Sequence, residues 1–251
     1  MADEVTKPAP APPTGFALEA RALGRSRRAQ ARRAELLAAA LAMIAGFVDA
    51  YGMITYGVFV SFMSGNTTQT GYHIAEGKLG AAALSALAIL SFVAGSFAGT
   101  LLVQFAGPLA QRLVFGVVAA ALAAIIGFAE LRLMSGVAAI AAISFAMGIM
   151  NSALSHVGAQ SVSLTFVTGT LSRVGSHLAL AAKRAPLADA QGPWDTHLRR
   201  AMMLARIWAG FLAGALLSGA VAPRFGASAL LPPALILAAL AAFDRPGDAT
   251  G

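Results

Sequence analysis

The sequence predicts an all-α polytopic membrane protein, a helical bundle of two internal repeats. Three observations predict it. The 251 residues are 58% hydrophobic and 12% charged, with mean hydropathy +0.73, whereas soluble domains are about a quarter charged. Six apolar stretches (36–58, 79–105, 112–133, 134–157, 201–221 and 227–243) approach or exceed the ~20 residues that a helix needs to cross a bilayer. One unit also occurs twice, a common plan among membrane transporters.

The first copy, residues 46–75, reads GFVDAYGMITYGVFVSFMSGNTTQTGYHIA; the second, residues 148–179, reads GIMNSALSHVGAQSVSLTFVTGTLSRVGSHLA. Phe62-Met63-Ser64-Gly65 aligns without a gap on Phe166-Val167-Thr168-Gly169, and Gly71-Tyr72-His73-Ile74-Ala75 on Gly175-Ser176-His177-Leu178-Ala179. A small register slip pairs Asp49 with Asn151. GFVDAYG followed by FVSFMSGNTTQTG resembles the signature of the DUF1275 (YoaK-like) family of bacterial integral membrane proteins. In that family a G-x-x-D-A segment precedes a T-G-N triplet, here Ser64-Gly65-Asn66, and a T-G-T-L element follows, here Thr168-Gly169-Thr170-Leu171. The resemblance covers roughly residues 36–243. It implies class and location and leaves the substrate open.

Residues 1–34 read as a disordered, basic cytoplasmic tail, residues 35–133 as membrane repeat 1, residues 134–243 as repeat 2 with a polar loop at 185–199, and 244–251 as a polar tail. The Ala/Pro-rich start suits disorder, and 14–33 suits a short interfacial helix against anionic headgroups. The net charge of +7 is concentrated in Arg21, Arg25, Arg27, Arg28, Arg32 and Arg33, just before the first apolar stretch. That is a cytoplasmic flank, not a nucleic-acid surface. A cleavable signal peptide is the competing reading, but the apolar run continues to Tyr56 without a clean cleavage site. Gly107-Pro108 stops one helix, and Pro232-Pro233 suit the first turn of another. With no cysteine, disulfides and thiolate metal sites are excluded.

The motif segments at 60–78 and 160–184 set the topology. If they cross, the repeats are parallel with eight spans; if they do not, there are six spans and the repeats are inverted. The matched patterns favour six clear transmembrane helices plus two Gly/Thr-broken motif helices that line a cavity. The spacings Gly95/Gly99 and Gly210/Gly214 read as close helix contacts.

Asp49 is the sharpest site candidate, because a carboxylate within a span costs on the order of 3 kcal/mol and must face protein or water. It is either a proton- or cation-binding group or a structural cap for the motif helix. Ser64, Gly65, Asn66 and Thr67, with Asn151, Thr168, Gly169 and Thr170 in the second copy, are the other substrate- or ion-binding candidates, since exposed helix ends offer N–H or C=O groups. The structural alternative is a kinked helix pair. His73 and His177 occupy equivalent places, suited either to proton relay or to a headgroup-level helix end. Arg206 either snorkels to the cytoplasmic surface or opposes Asp49. No metal set, cofactor motif or nucleophile–base pair is present, so an enzyme is not expected. The expected function is a small secondary transporter or permease, with its site between the repeats and an unidentified small molecule or ion as substrate. The alternative is a non-catalytic scaffold, sensor or accessory subunit. The expected location is the bacterial cytoplasmic (inner) membrane with both termini cytoplasmic, the lipid bilayer as partner, and a homo-oligomer left open.

Overall fold

In a computed structural model of the chain, residues 14–152 and 167–243 are described, and their regular structure is helical throughout. α1 (Thr14–Tyr56) is followed by α2 (Met63–Ala75), α3 (Leu79–Ala106), α4 (Ala110–Glu130) and α5 (Gly136–Asn151). After the undescribed residues come α6 (Val167–Ala182), α7 (His197–Phe225) and α8 (Leu231–Phe243). Three stretches, Arg28–Tyr56, Leu79–Glu130 and His197–Phe243, are long and apolar enough to cross a membrane, and α5 is a shorter apolar helix.

The helix ends follow local chemistry. α1 stops where Gly57 takes a φ of +71°, a left-handed conformation that glycine adopts without cost. Gly107-Pro108 forms a short 3₁₀ turn between α3 and α4. Ser135 and Thr196 cap α5 and α7, their hydroxyls accepting from Ala138 N–H at 3.2 Å and Arg199 N–H at 3.2 Å. Pro232 and Pro233 lie in the first turn of α8, where a missing N–H costs least. The basic stretch 14–33, read from sequence as suited to a short interfacial helix, is helical from Thr14, but as one helix continuous with the first apolar stretch; residues 1–13 and 244–251 lie outside the described ones.

Glycines set the two closest helix pairs. α1 packs along α7, and α3 along α5. A Cβ at Gly46 would overlap the Phe211 carbonyl, and one at Gly214 the Met43 carbonyl. On the other pair, Gly95 lies against the Phe145 carbonyl and Gly148 against the Phe92 carbonyl. Such backbone-to-backbone approach is how apolar helices gain packing energy where no hydrophobic force drives them together. Leu41, Ile44, Val48, Phe115, Leu122, Ile143, Met147 and Leu237 are fully buried where the helices meet.

The same contacts fix directions. Glu35 meets Arg199, and Gly46 meets Phe211, so α1 and α7 are parallel. Gly95 with Phe145 and Gly99 with Ile149 make α3 and α5 parallel. Arg112 reaches Ala241 while Glu130 reaches Ser228, so α4 and α8 are antiparallel. Tyr56 and Val58, where α1 ends, pack near Leu84 and Ala88 early in α3 and near Ile140 early in α5. α1 therefore runs opposite to both. The chain leaves α1 and enters α3 at one end of the bundle, so α2 does not carry it across. By the same reasoning α5 ends and α7 begins at the opposite end of the bundle.

Candidate functional site

Between α1 and α2, residues 57–62 are not helical, and every backbone donor freed there needs a partner. Asp49, only 3% exposed, supplies the partner for three of them. Its Oδ1 accepts from Val60 N–H at 2.9 Å, Ser61 N–H at 2.8 Å and Phe62 N–H at 3.2 Å. All three amides converge on Oδ1, and among the described residues none reaches Oδ2. Asp49 lies seven positions before the last residue of α1, about 10 Å along the axis. The segment after Tyr56 therefore folds back along α1 before α2 begins.

Asn66 closes the same segment from the other side. Its side chain, fully buried, accepts from Phe59 N–H at 3.1 Å and donates to the Phe59 carbonyl at 2.6 Å. Two glycines make room: a Cβ at Gly52 would meet Val60 Cγ1 at 2.7 Å, and one at Gly65 would meet the Phe59 ring at 2.9 Å. Phe59 and Phe62 stack edge-on there, with ring centres 5.2 Å apart. Asp49 and Asn66 thus form a clasp around an irregular stretch. A carboxylate and a carboxamide do here what ladder hydrogen bonds do elsewhere.

This places the break differently from the sequence expectation. Ser64, Gly65, Asn66, Thr67 and Thr68 are not the break; they form the start of α2. Thr67 and Thr68 donate to the Met63 and Ser64 carbonyls at 2.8 and 3.1 Å, so the hydroxyls are absorbed within the helix. The break lies just upstream, in GVFVSF, whose apolar character disguises it. In the second copy, Thr168, Gly169 and Thr170 likewise begin α6, with Thr170 buried, and Asn151 is the last residue of α5. The segment that would correspond to the clasped loop lies outside the described residues. α2 packs on α3, with Ser85 Oγ donating to Gln69 Oε1 at 3.3 Å, and α6 packs on α7. The two motif helices thus flank different neighbours, α3 and α7.

The other candidates gather elsewhere. His73 has Nδ1 3.9 Å from Glu76 Oε2 and its ring against Tyr72. His177 meets His197, the first residue of α7, Nδ1 to Nδ1 at 2.9 Å. Arg206 does not face Asp49: it lies 3.9 Å from Glu35, which also binds Arg199, about 20 Å back along α1 from Asp49. Sequence reasoning missed a latch built on Arg200, which is 5% exposed. Its guanidinium grips Asp195 through Nε (3.0 Å) and Nη2 (2.8 Å), and Asp189 through Nη1 (3.0 Å). Burial raises the Asp195 carboxyl, but the Arg200 bonds and the Gln191 amide outweigh it and hold it below the usual range. The Arg200 bonds likewise lower Asp189. Arg199 stacks on Trp194, 4.4 Å from the ring centre. Asp195-Thr196, an acid and a cap just before an apolar run, was the available signal.

Residues 37–243 match the family model DUF1275, described as protein of unknown function. The chain belongs to the DUF1275 family. It is similar to the UPF0700 transmembrane protein RA0705 of Rhizobium meliloti (strain 1021), with 33% identity over 214 residues, 84% of this chain and 86% of that protein. No solved structure matches. With a transmembrane relative and three membrane-length apolar stretches, this DUF1275 chain is an integral membrane protein.

Proposed function

We propose that this DUF1275 protein is a small secondary permease of the bacterial cytoplasmic membrane, driven by proton exchange at Asp49. In this reading α1, α3, α4, α5, α7 and α8 are six spans of alternating direction. They form two inverted repeats, 35–133 and 134–243, with α2 and α6 entering from opposite faces and returning. The exchange of partners supports it: the first helix of each half packs on the third member of the other (α1 on α7, α5 on α3), as inverted duplications do. Basic groups support the orientation. Arg28, Arg32, Arg112, Lys183, Arg184, Arg199 and Arg200 gather at the Glu35 end, whereas Lys78, Arg132 and Arg224 are joined by Glu76 and Glu130 at the other. The Glu35 end, with both termini, is then cytoplasmic.

The single observation that carries the function is the buried carboxylate that holds α2 in place. An ionised Asp49 binds three amides with charge-assisted hydrogen bonds, roughly twice as strong as neutral ones. A proton arriving at Oδ2 weakens all three and frees the start of α2, which couples protonation to movement of the half-helix. The substrate is a small molecule or ion passing between the halves; no catalysis and no cofactor enters the reading. Asp49→Asn keeps an acceptor oxygen but mimics the protonated state. Proteoliposome uptake by this variant is expected to lose its response to an imposed pH gradient while the protein stays folded. An unchanged response would remove the proposal.

A non-catalytic membrane scaffold is the second reading. It is favoured by the commitment of Oδ1 and of the whole Asn66 amide to the fold. A stable complex with one partner, untouched by Asp49→Asn, together with no uptake of any tested solute, would select it.

A further inference from the structure

The contact between His177 and His197 requires a particular proton count. Two Nδ1 atoms 2.9 Å apart bond only when one carries a hydrogen and the other presents a lone pair. If both rings are protonated, two N–H groups and two positive charges oppose each other. This contact joins the last turns of α6 to the first residue of α7; on its α7 side His197 is 8% exposed and its Nε2 is buried without a partner among the described residues.

The surroundings disfavour the charged form of His177. Burial lowers the His177 pKa first, then His197 and Arg200, with Asp189 and Asp195 opposing. Both carboxylates are already bound to Arg200, so neither is released to balance a second imidazolium. On its own helix His177 is followed by Lys183 and Arg184 and preceded by Arg173, all cationic. From α1 the nearest acid, Glu35, is engaged by Arg199 and Arg206. Below the contact, Val174 of α6 packs on Ala38 and Ala42 of α1 and on Met203, Leu204 and Ile207 of α7.

We infer that the His177–His197 contact is an acid-sensitive catch that releases the end of α6 from α7 when the cytoplasmic face is acidified. The sign follows from the depressed His177 value: the folded arrangement binds fewer protons than the separated one. The catch therefore holds above the ordinary histidine value of about 6.5 and weakens as pH falls below it. The repeat-equivalent His73 faces Glu76 instead, so the outer half-helix α2 lacks the device. The inference does not depend on Asp49 or on transport.

The test uses the full chain in nanodiscs. The protein has no cysteine, so spin labels placed through Ala182→Cys and Leu198→Cys report the α6–α7 distance directly. The expected result is one narrow distance at pH 7.5 and a broad, longer distribution at pH 5.5, with the change abolished in His177→Gln and retained in His73→Gln. If His177→Gln does not fold, His197→Gln serves the same purpose. A distance unchanged between pH 7.5 and 5.5 overturns the inference. So does a pH response that survives loss of either histidine.

Discussion

The Asp49 clasp and the Arg200 latch each bury a charge, and they do it in opposite ways. Asp49 has no counter-ion among the described residues: three backbone amides converge on one oxygen. Arg200 has two carboxylates that match its planar fork. The difference follows from position. Deep in the bundle both an unpaired amide and, far more, an unpaired charge are costly, so one carboxylate and three amides satisfy each other. At the water-facing end, the loop 183–196 has few apolar contacts to hold it. There a bidentate ion pair supplies geometry that packing does not.

The sharpest way to break this comparison is to delete each charge. Asp49→Ala orphans three amides at once; at ~1–3 kcal/mol for each unsatisfied buried group, at least 3 kcal/mol of stability should be lost. Arg200→Ala leaves Asp195 buried without its cation, which typically costs about 3–5 kcal/mol. Thermal unfolding in detergent, followed by helical circular dichroism, compares the two. The accounts differ in rescue: Asp49→Asn should recover part of the loss, whereas Arg200→Lys, lacking the fork, should recover little.

A smaller effect is expected from Asn66→Ala, about 2 kcal/mol, since it frees only the Phe59 amide and carbonyl. Its loss should be non-additive with Asp49→Ala, because both hold residues 57–62; additivity would show that the clasp is not one unit. The latch has its own pH limit. Asp189 and Asp195 are lowered by Arg200, so their contribution is complete above the ordinary carboxylate value of about 3.9 and disappears only as pH falls through the lowered values. Limited proteolysis of the 183–196 loop should therefore stay slow at pH 5 and accelerate below pH 4. Acceleration already at pH 5 would contradict the ion-pair account. Smallest is Arg206→Gln, within ~0.5 kcal/mol, because an ion pair with an exposed arginine is screened.

Much of the helix plan was legible in the sequence because hydropathy, Gly107-Pro108 and the prolines of α8 are local signals. The pairing of Gly95 and Gly214 with neighbouring carbonyls was legible in their spacing, although the partners were not. Asp49 and Asn66 stood out as polar groups in an apolar setting, but their joint role did not. Residues 57–62 read as the end of the first span and the apolar start of the motif segment, and the Gly/Ser/Asn/Thr cluster at Ser64 to Thr68 read as the break; in place, the Thr67 and Thr68 hydroxyls bond back to the preceding turn. Direction was the least legible feature. It rests on pairs such as Glu35 with Arg199 and Arg112 with Ala241, separated by over a hundred residues in the chain.

That direction is the central claim, and a pair of single cysteines tests it most directly. Thr55→Cys lies near the end of α1 and Lys78→Cys just before α3, on either side of α2. Each is labelled in intact cells and in inverted vesicles with a membrane-impermeant thiol reagent. If α2 enters and returns, both positions label from outside and neither from the cytoplasmic face. Labelling of Thr55→Cys and Lys78→Cys from opposite faces would make α2 a span and contradict the inverted six-span account.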